Sequence, residues 1–239
     1  MPCRFWCSAL LVAAVAGCGG THAPPLDVKA APYAKSAHAS IEAISFRGYR
    51  GRRVVGYLAY PARGGRHPAV LWLHGSGGNR RDFVGSAARW ANRGGVGLAI
   101  SQPNDAASFA PLVGNAERAL DLLRARGDVD PGRVAIAGLS LGAETAAIVA
   151  GDDDRLKVVA LESGRGRPEV LAGVRKSKAD FYVQDALRDQ VIPRPQLRAL
   201  IRAIRGRLTV RWYDLPHVLD AAAYESQLAW LASELHPAR

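Results

Sequence analysis

The segment Gly138-Leu139-Ser140-Leu141-Gly142 holds a serine between two glycines in the pattern G-x-S-x-G. A serine hydroxyl attacks an acyl carbon only when a turn exposes it, a base takes its proton and donors hold the oxyanion that forms. The flanking sequence supplies the turn. Arg133 and the apolar residues after it read as a strand, and the Ala-rich residues 141–150 read as a helix, so the serine falls at a strand-turn-helix elbow. Such an elbow brings strand and helix so close that side chains at 138 and 142 would collide with them, and it puts the serine in a strained backbone conformation. The alternative is a glycine-rich turn that merely leads into a helix.

A nucleophilic serine needs a base, and the chain has six histidines. His217 lies in Asp214-Leu215-Pro216-His217, just after the apolar run 208–213. His74 opens the glycine-rich segment His74-Gly75-Ser76-Gly77-Gly78, just after the apolar run 69–73. His67, in a turn before that run, and His236, near the C-terminus, are expected to be solvated, and His22 and His38 fall in a stretch rich in Ala, Pro and Gly. The imidazole in turn needs a carboxylate that fixes its tautomer and balances its charge. Asp185 and Asp189 both follow the run 181–184, and either could serve. Arg165 and Arg167 follow another strand end, where they could meet an anionic substrate or face water.

Strands must position these groups. Residues 41–46 and 53–60 are two apolar-rich runs joined by Gly48-Tyr49-Arg50-Gly51, which reads as an antiparallel hairpin. Continuous apolar runs then recur at 69–73, 96–100, 134–137, 158–161, 181–183 and 208–212, as expected of strands buried on both faces. Helical periods separate them at 82–93, 112–126, 141–150, 195–205 and 221–235. The alternation predicts a doubly wound α/β domain: a mostly parallel sheet of about eight strands, helices on both faces and the hairpin at one edge.

This frame and its residues resemble an α/β-hydrolase, in particular the dienelactone-hydrolase-like branch, over residues 40–239. The resemblance is carried by the approach Val129-Asp130-Pro131-Gly132-Arg133-Val134-Ala135-Ile136-Ala137 into the elbow, by the H-G-x loop at His74 and by the order serine, acid, histidine. It implies Ser140 as nucleophile, His217 as base and a structural role for His74, with the amides of Ser76 and Leu141 as the oxyanion hole. It favours Asp189, which precedes an apolar-Pro step at Val191-Ile192-Pro193, over Asp185, which stands where many relatives have glycine. Two departures matter. Ala143 occupies a position that is often glycine, and Ser140 replaces the cysteine of true dienelactone hydrolases, which points away from dienelactone and towards ordinary serine-ester chemistry. The implied activity is hydrolysis of small soluble esters through an acyl-enzyme. A catalytically silent binding module, or a peptidase or thioesterase of the same fold, is the alternative. Residues 162–178 between two strands leave room for a loop and one short helix but not for a large lid.

Length and composition agree with one enzyme-sized domain. Of 239 residues, 49% are hydrophobic and 22% charged, an ordinary globular balance that needs neither metal nor disulfide to hold a core. The net charge is +11, yet lysines are few and arginines are scattered, which argues against nucleic acid and suits a weak attraction to anionic membrane surfaces. No metal-ligand cluster, phosphate loop or dinucleotide fingerprint appears, so no cofactor is implied.

The N-terminus reads as an export signal, with Arg4, a short apolar run at 9–16 and small residues before Cys18. Val15-Ala16-Gly17-Cys18 resembles a bacterial lipobox, which implies removal of residues 1–17, acylation of Cys18 and display on a membrane outside the cytoplasm. Gly19 after the cysteine leans towards the outer membrane where there is one. Cys3 and Cys7 would leave with the signal. Residues 18–39 are expected to form a flexible tether and 40–239 the folded domain.

Overall fold

A computed structural model describes residues 25–104 and 106–237. The apolar runs become β4 (His67–Leu73), β5 (Val96–Ile100), β6 (Val129–Leu139), β7 (Val158–Glu162), β8 (Asp180–Ala186) and β9 (Leu208–Tyr213). Adjacent strands among these six pair in parallel in one sheet. The predicted hairpin is β2 (Ala39–Arg47) and β3 (Arg53–Pro61), joined through a single 3-10 turn at Tyr49–Gly51, and β3 runs antiparallel to β5. The sheet has nine strands in the order β1-β2-β3-β5-β4-β6-β7-β8-β9.

The ninth strand corrects the expected tether. β1 (Lys29–Lys35) pairs antiparallel with β2, Lys29 opposite Ser45 and Lys35 opposite Ser40. Every one of its residues is exposed, so the segment carries no alternation of apolar and polar side chains; only its backbone hydrogen bonds define it. The lysines and Pro32 also suit an outer edge, where they discourage pairing with a further chain. The expected signal, Cys18 included, lies outside the described residues.

Helices cover both faces. α2 (Ala110–Ala125), α3 (Leu141–Asp152), α4 (Pro168–Lys176) and α5 (Arg194–Ala203) bury their apolar sides with Leu71, Leu73, Ile136 and Val183. α1 (Val84–Asn92) and α6 (Ala221–Leu235) pack on the other face against Val70, Trp72 and Tyr182. Alternate residues of one strand thus feed two cores, which is why β4 to β8 read as apolar throughout; β9, at the edge of the sheet, was expected to be buried on both faces but is half-buried to exposed. Between β7 and β8 only α4 is present, so no lid domain covers the sheet there.

Because β4 and β6 to β9 all point the same way, their C-terminal ends form one edge, where open α/β sheets bind ligands. Leu139, Glu162 and Gln184 lie side by side across β6, β7 and β8, and Ala186 lies beside Tyr213. The loops after these residues carry the candidate chemistry.

Candidate active site

Ser140 occupies the junction of β6 and α3 with φ 52° and ψ −115°, a strained conformation for a residue with a side chain. Its amide donates to the carbonyl of Glu162 at 2.8 Å. The glycines around it are required by space. A methyl group on Gly138 would run into the backbone of Gly142, and one on Gly142 would run into the carbonyl of Leu73. These are the collisions expected of a tight elbow.

His217, in the loop after β9, meets Asp189, in the loop after β8, with Nδ1 2.8 Å from Oδ2. The other oxygen of Asp189 accepts the amides of Val191 and Ile192 at 2.8 and 2.9 Å. The carboxylate is therefore held by the backbone turn that the Val191-Ile192-Pro193 step makes, and its side chain is only 2% exposed. With Nδ1–H given to Asp189, Nε2 of the ring is left as a proton acceptor. Ser140, His217, Leu141, Gly75 and Ser76 all line one cleft of about 310 Å³.

The Ser76 side of that cleft is built by His74. The ring is buried; Nε2 accepts the amide of Gln102 at 2.8 Å, so Nδ1 carries the proton and donates to the carbonyl of Gly75 at 2.7 Å. Both nitrogens are thereby engaged in holding the loop. Asn104 grips the same loop, accepting from the amide of Gly77 at 2.9 Å and donating to the carbonyl of Gly78 at 3.1 Å.

Asp185 is placed differently. It is fully buried, its carboxyl oxygens lack well-formed hydrogen bonds, and burial pushes it up to about 7, with the charge of Asp189 adding and the Ser163 amide opposing. Beside it, Glu162 is also buried and accepts hydrogen bonds from the Leu219 amide, Gln184 Nε2 and the Tyr224 hydroxyl. Burial pushes Glu162 up to about 7 despite these donors.

Several residues behave otherwise than the sequence suggested. His67 is not solvated but buried, with its ring nitrogens 3.0 and 3.2 Å from the carbonyls of Gly94 and Arg63. Trp212, within the run 208–212 that was expected to be buried on both faces, is exposed and lies beneath the Arg194 guanidinium. Arg165 and Arg167 do not simply face water but line the cleft. Arg167 pairs at 2.8 Å with Glu144, a buried carboxylate one turn into α3 that lines the same cleft and that desolvation holds above the ordinary range. Glu144, Asn104 and Ser163 were missed; their partners lie far away in the chain, and no local spacing marks them. Among the described residues no group of three His, Cys, Asp or Glu could hold a metal ion, and no helix is long and apolar enough to cross a membrane.

The fold, with Ser140 at its elbow and the Asp189–His217 pair at the same edge of the sheet, resembles that of the α/β hydrolases. The model of the dienelactone hydrolase family matches residues 99–217, which hold the elbow, the acid loop and the histidine. Solved structures of esterases share the fold. An acetyl xylan esterase from Paenibacillus sp. R4 superposes with TM-score 0.77 at 19% identity, covering 88% of this chain and 89% of that one. A cold-adapted esterase from an Arctic intertidal metagenomic library gives 0.74 at 17% identity over 84% and 97%. The esterase of Pyrobaculum calidifontis gives 0.64 at 19% identity over 81% and 85%. No curated protein matches the sequence. The structural likenesses show a shared fold, and the family match adds a similarity across the part of the chain that carries Ser140, Asp189 and His217.

Proposed function

We propose that the protein is a serine esterase that cleaves small soluble esters through an acyl-enzyme. The observation that carries this reading is the 2.8 Å contact of His217 Nδ1 with Asp189, which leaves Nε2 to accept a proton in the cleft that also holds the strained Ser140. In the first half-reaction the Ser140 hydroxyl passes its proton to His217 Nε2 as Oγ bonds to the acyl carbon; the carbonyl electrons move onto oxygen, where the amides of Ser76 and Leu141 stabilise them. His217 then returns the proton to the departing alcohol. Water, deprotonated by the same nitrogen, attacks the acyl-enzyme, and Ser140 leaves with the proton. Asp189 stays ionised throughout and balances the imidazolium.

Labelling with a fluorophosphonate probe tests this. Wild type should label and lose esterase activity together, and Ser140→Ala should neither label nor hydrolyse the ester. Equal labelling of that variant, or none of folded wild type, would favour a silent binding module of the same fold.

We further propose that the enzyme is exported and held on a membrane by acylated Cys18, a reading that rests on Val15-Ala16-Gly17-Cys18 alone. More than one acyl chain makes such anchoring effectively permanent. Cys18→Ser should move the protein to the soluble fraction, and membrane retention of the variant would remove the idea.

A further inference from the structure

The end of β7 touches both halves of the proposed machinery. Glu162 accepts the Ser140 amide on its carbonyl at 2.8 Å and the Leu219 amide on Oε1 at 3.1 Å. The next residue, Ser163, donates its amide to the carbonyl of Gln184 at 3.0 Å and its hydroxyl to the carbonyl of His217 at 3.0 Å. Nucleophile and base loop thus hang from two consecutive residues.

Local preference alone does not account for a serine at 163. Its φ is 49°, in the left-handed region where a Cβ crowds the backbone and glycine is favoured. It is also fully buried, where a hydroxyl must find a partner. Glycine would meet the backbone requirement without strain and leave no polar atom to satisfy. What the serine adds is the hydrogen bond to His217.

That bond falls in the middle of a loop whose other ties lie to either side, Arg188 holding Asp214 and Leu215 and Glu162 holding Leu219. Residues 214–220, between β9 and α6, form no helix or strand. Asp189 pins the imidazole at Nδ1, but a ring held at one atom can still swing about that contact and redirect Nε2 within the cleft. Fixing the carbonyl of His217 removes this freedom from the backbone side, and the grip of Glu162 on Leu219 does the same two residues further on.

We propose that Ser163 is a positioning residue for the base: its hydroxyl holds the His217 backbone so that Nε2 faces Ser140 once Nδ1 is on Asp189. The proposal rests on the serine-esterase reading and adds a residue that touches no substrate. It sacrifices local stability at 163 for the placement of a group on another loop.

The test uses the full chain with Ser163→Gly and Ser163→Ala, p-nitrophenyl acetate and the fluorophosphonate probe. Ser163→Gly should melt at or above the wild-type temperature, because its backbone strain is relieved. Its kcat should fall about tenfold or more, with KM changed by less than about twofold and labelling slowed in proportion. Ser163→Ala, which keeps the strain and loses the hydroxyl, should lose as much kcat and melt lower. Wild-type kcat in Ser163→Gly overturns the proposal, as does a loss confined to KM; were the glycine variant not to fold, the alanine variant decides by the same kcat comparison. The two readings fail separately: undiminished labelling of Ser140→Ala sinks the esterase, whereas a silent Ser140→Ala beside a fully active Ser163→Gly sinks only the positioning role.

Discussion

At the scale of single residues, the two aspartates after β8 show how burial and donors separate roles. Asp189 has both oxygens engaged, one by two amides and one by His217. Asp185 has no such set and sits fully buried, where the neutral carboxyl is favoured. An acid that must balance an imidazolium has to be ionised, which is why the proposed mechanism gives that work to Asp189 and not to Asp185. Asp189→Asn should lower kcat/KM by roughly a thousandfold or more while the protein stays folded, because the amide can neither balance the charge nor hold the same tautomer. Asp185→Asn should stay within about tenfold of wild type. Steady-state rates beside circular dichroism spectra of the two variants decide it, and the reverse ranking would move the acid to Asp185. Much of this site was legible in the sequence. Ser140 was marked by its flanking glycines and His217 by its place after the last strand, whereas the choice of Asp189 came from the family pattern. Glu144, Arg167 and Ser163 were not legible as a set. An ion pair across 23 positions and a hydroxyl reaching 54 positions along the chain leave no periodic trace, and a positive φ at a serine is not marked by its residue type.

At the scale of elements, substrate size follows from what covers the cleft. α4 is the only helix between β7 and β8, and it packs through Val170 and Val174 into the core instead of over Ser140. The rim of the cleft carries Val191 and Val218, each 55% exposed. Apart from these two and Leu139 and Leu141, the cleft is lined by Gly75, Ser76, Ser140, Glu144, Arg165, Arg167 and His217, which leaves little apolar surface to bury the methylenes of a long acyl chain, each worth about 0.8 kcal/mol if fully covered. Among p-nitrophenyl acetate, butyrate and palmitate, kcat/KM should therefore peak at acetate or butyrate and show no jump when palmitate forms an emulsion. A steady climb to palmitate would mean that a cover forms over the cleft. The central strands and most helices were readable because two buried faces leave an uninterrupted apolar run, and α6 was predicted at its observed bounds. β1 was not. An edge strand exposed at every position has no burial pattern to betray it, and only its partner β2 makes it a strand.

At the scale of the whole molecule, the buried carboxyls beneath the candidate site make stability depend on pH. Burial pushes Glu162 and Asp185 each up to about 7, from ordinary values of 4.5 and 3.8. Unfolded, both would lose their protons near pH 4; folded, they keep them to about pH 7. Between these values the native state binds more protons than the unfolded one, so these groups make stability fall as pH rises through this window. Above about pH 7 both states are ionised and the penalty stays constant. Each tenfold difference in proton affinity corresponds to about 1.4 kcal/mol, though water entry and local relaxation reduce what a buried group costs in practice. Asp185→Asn removes one of the two groups without removing volume. Its melting temperature should resemble wild type near pH 4.5 and exceed it progressively up to pH 7.5, by an amount on the order of 4 °C for 1 to 2 kcal/mol in a domain of this size. The comparison between variant and wild type cancels the titration of the many surface ion pairs, which both proteins share. Melting curves that stay parallel across this range would show that Asp185 is ionised in the folded protein, held by donors that replace the water it has lost.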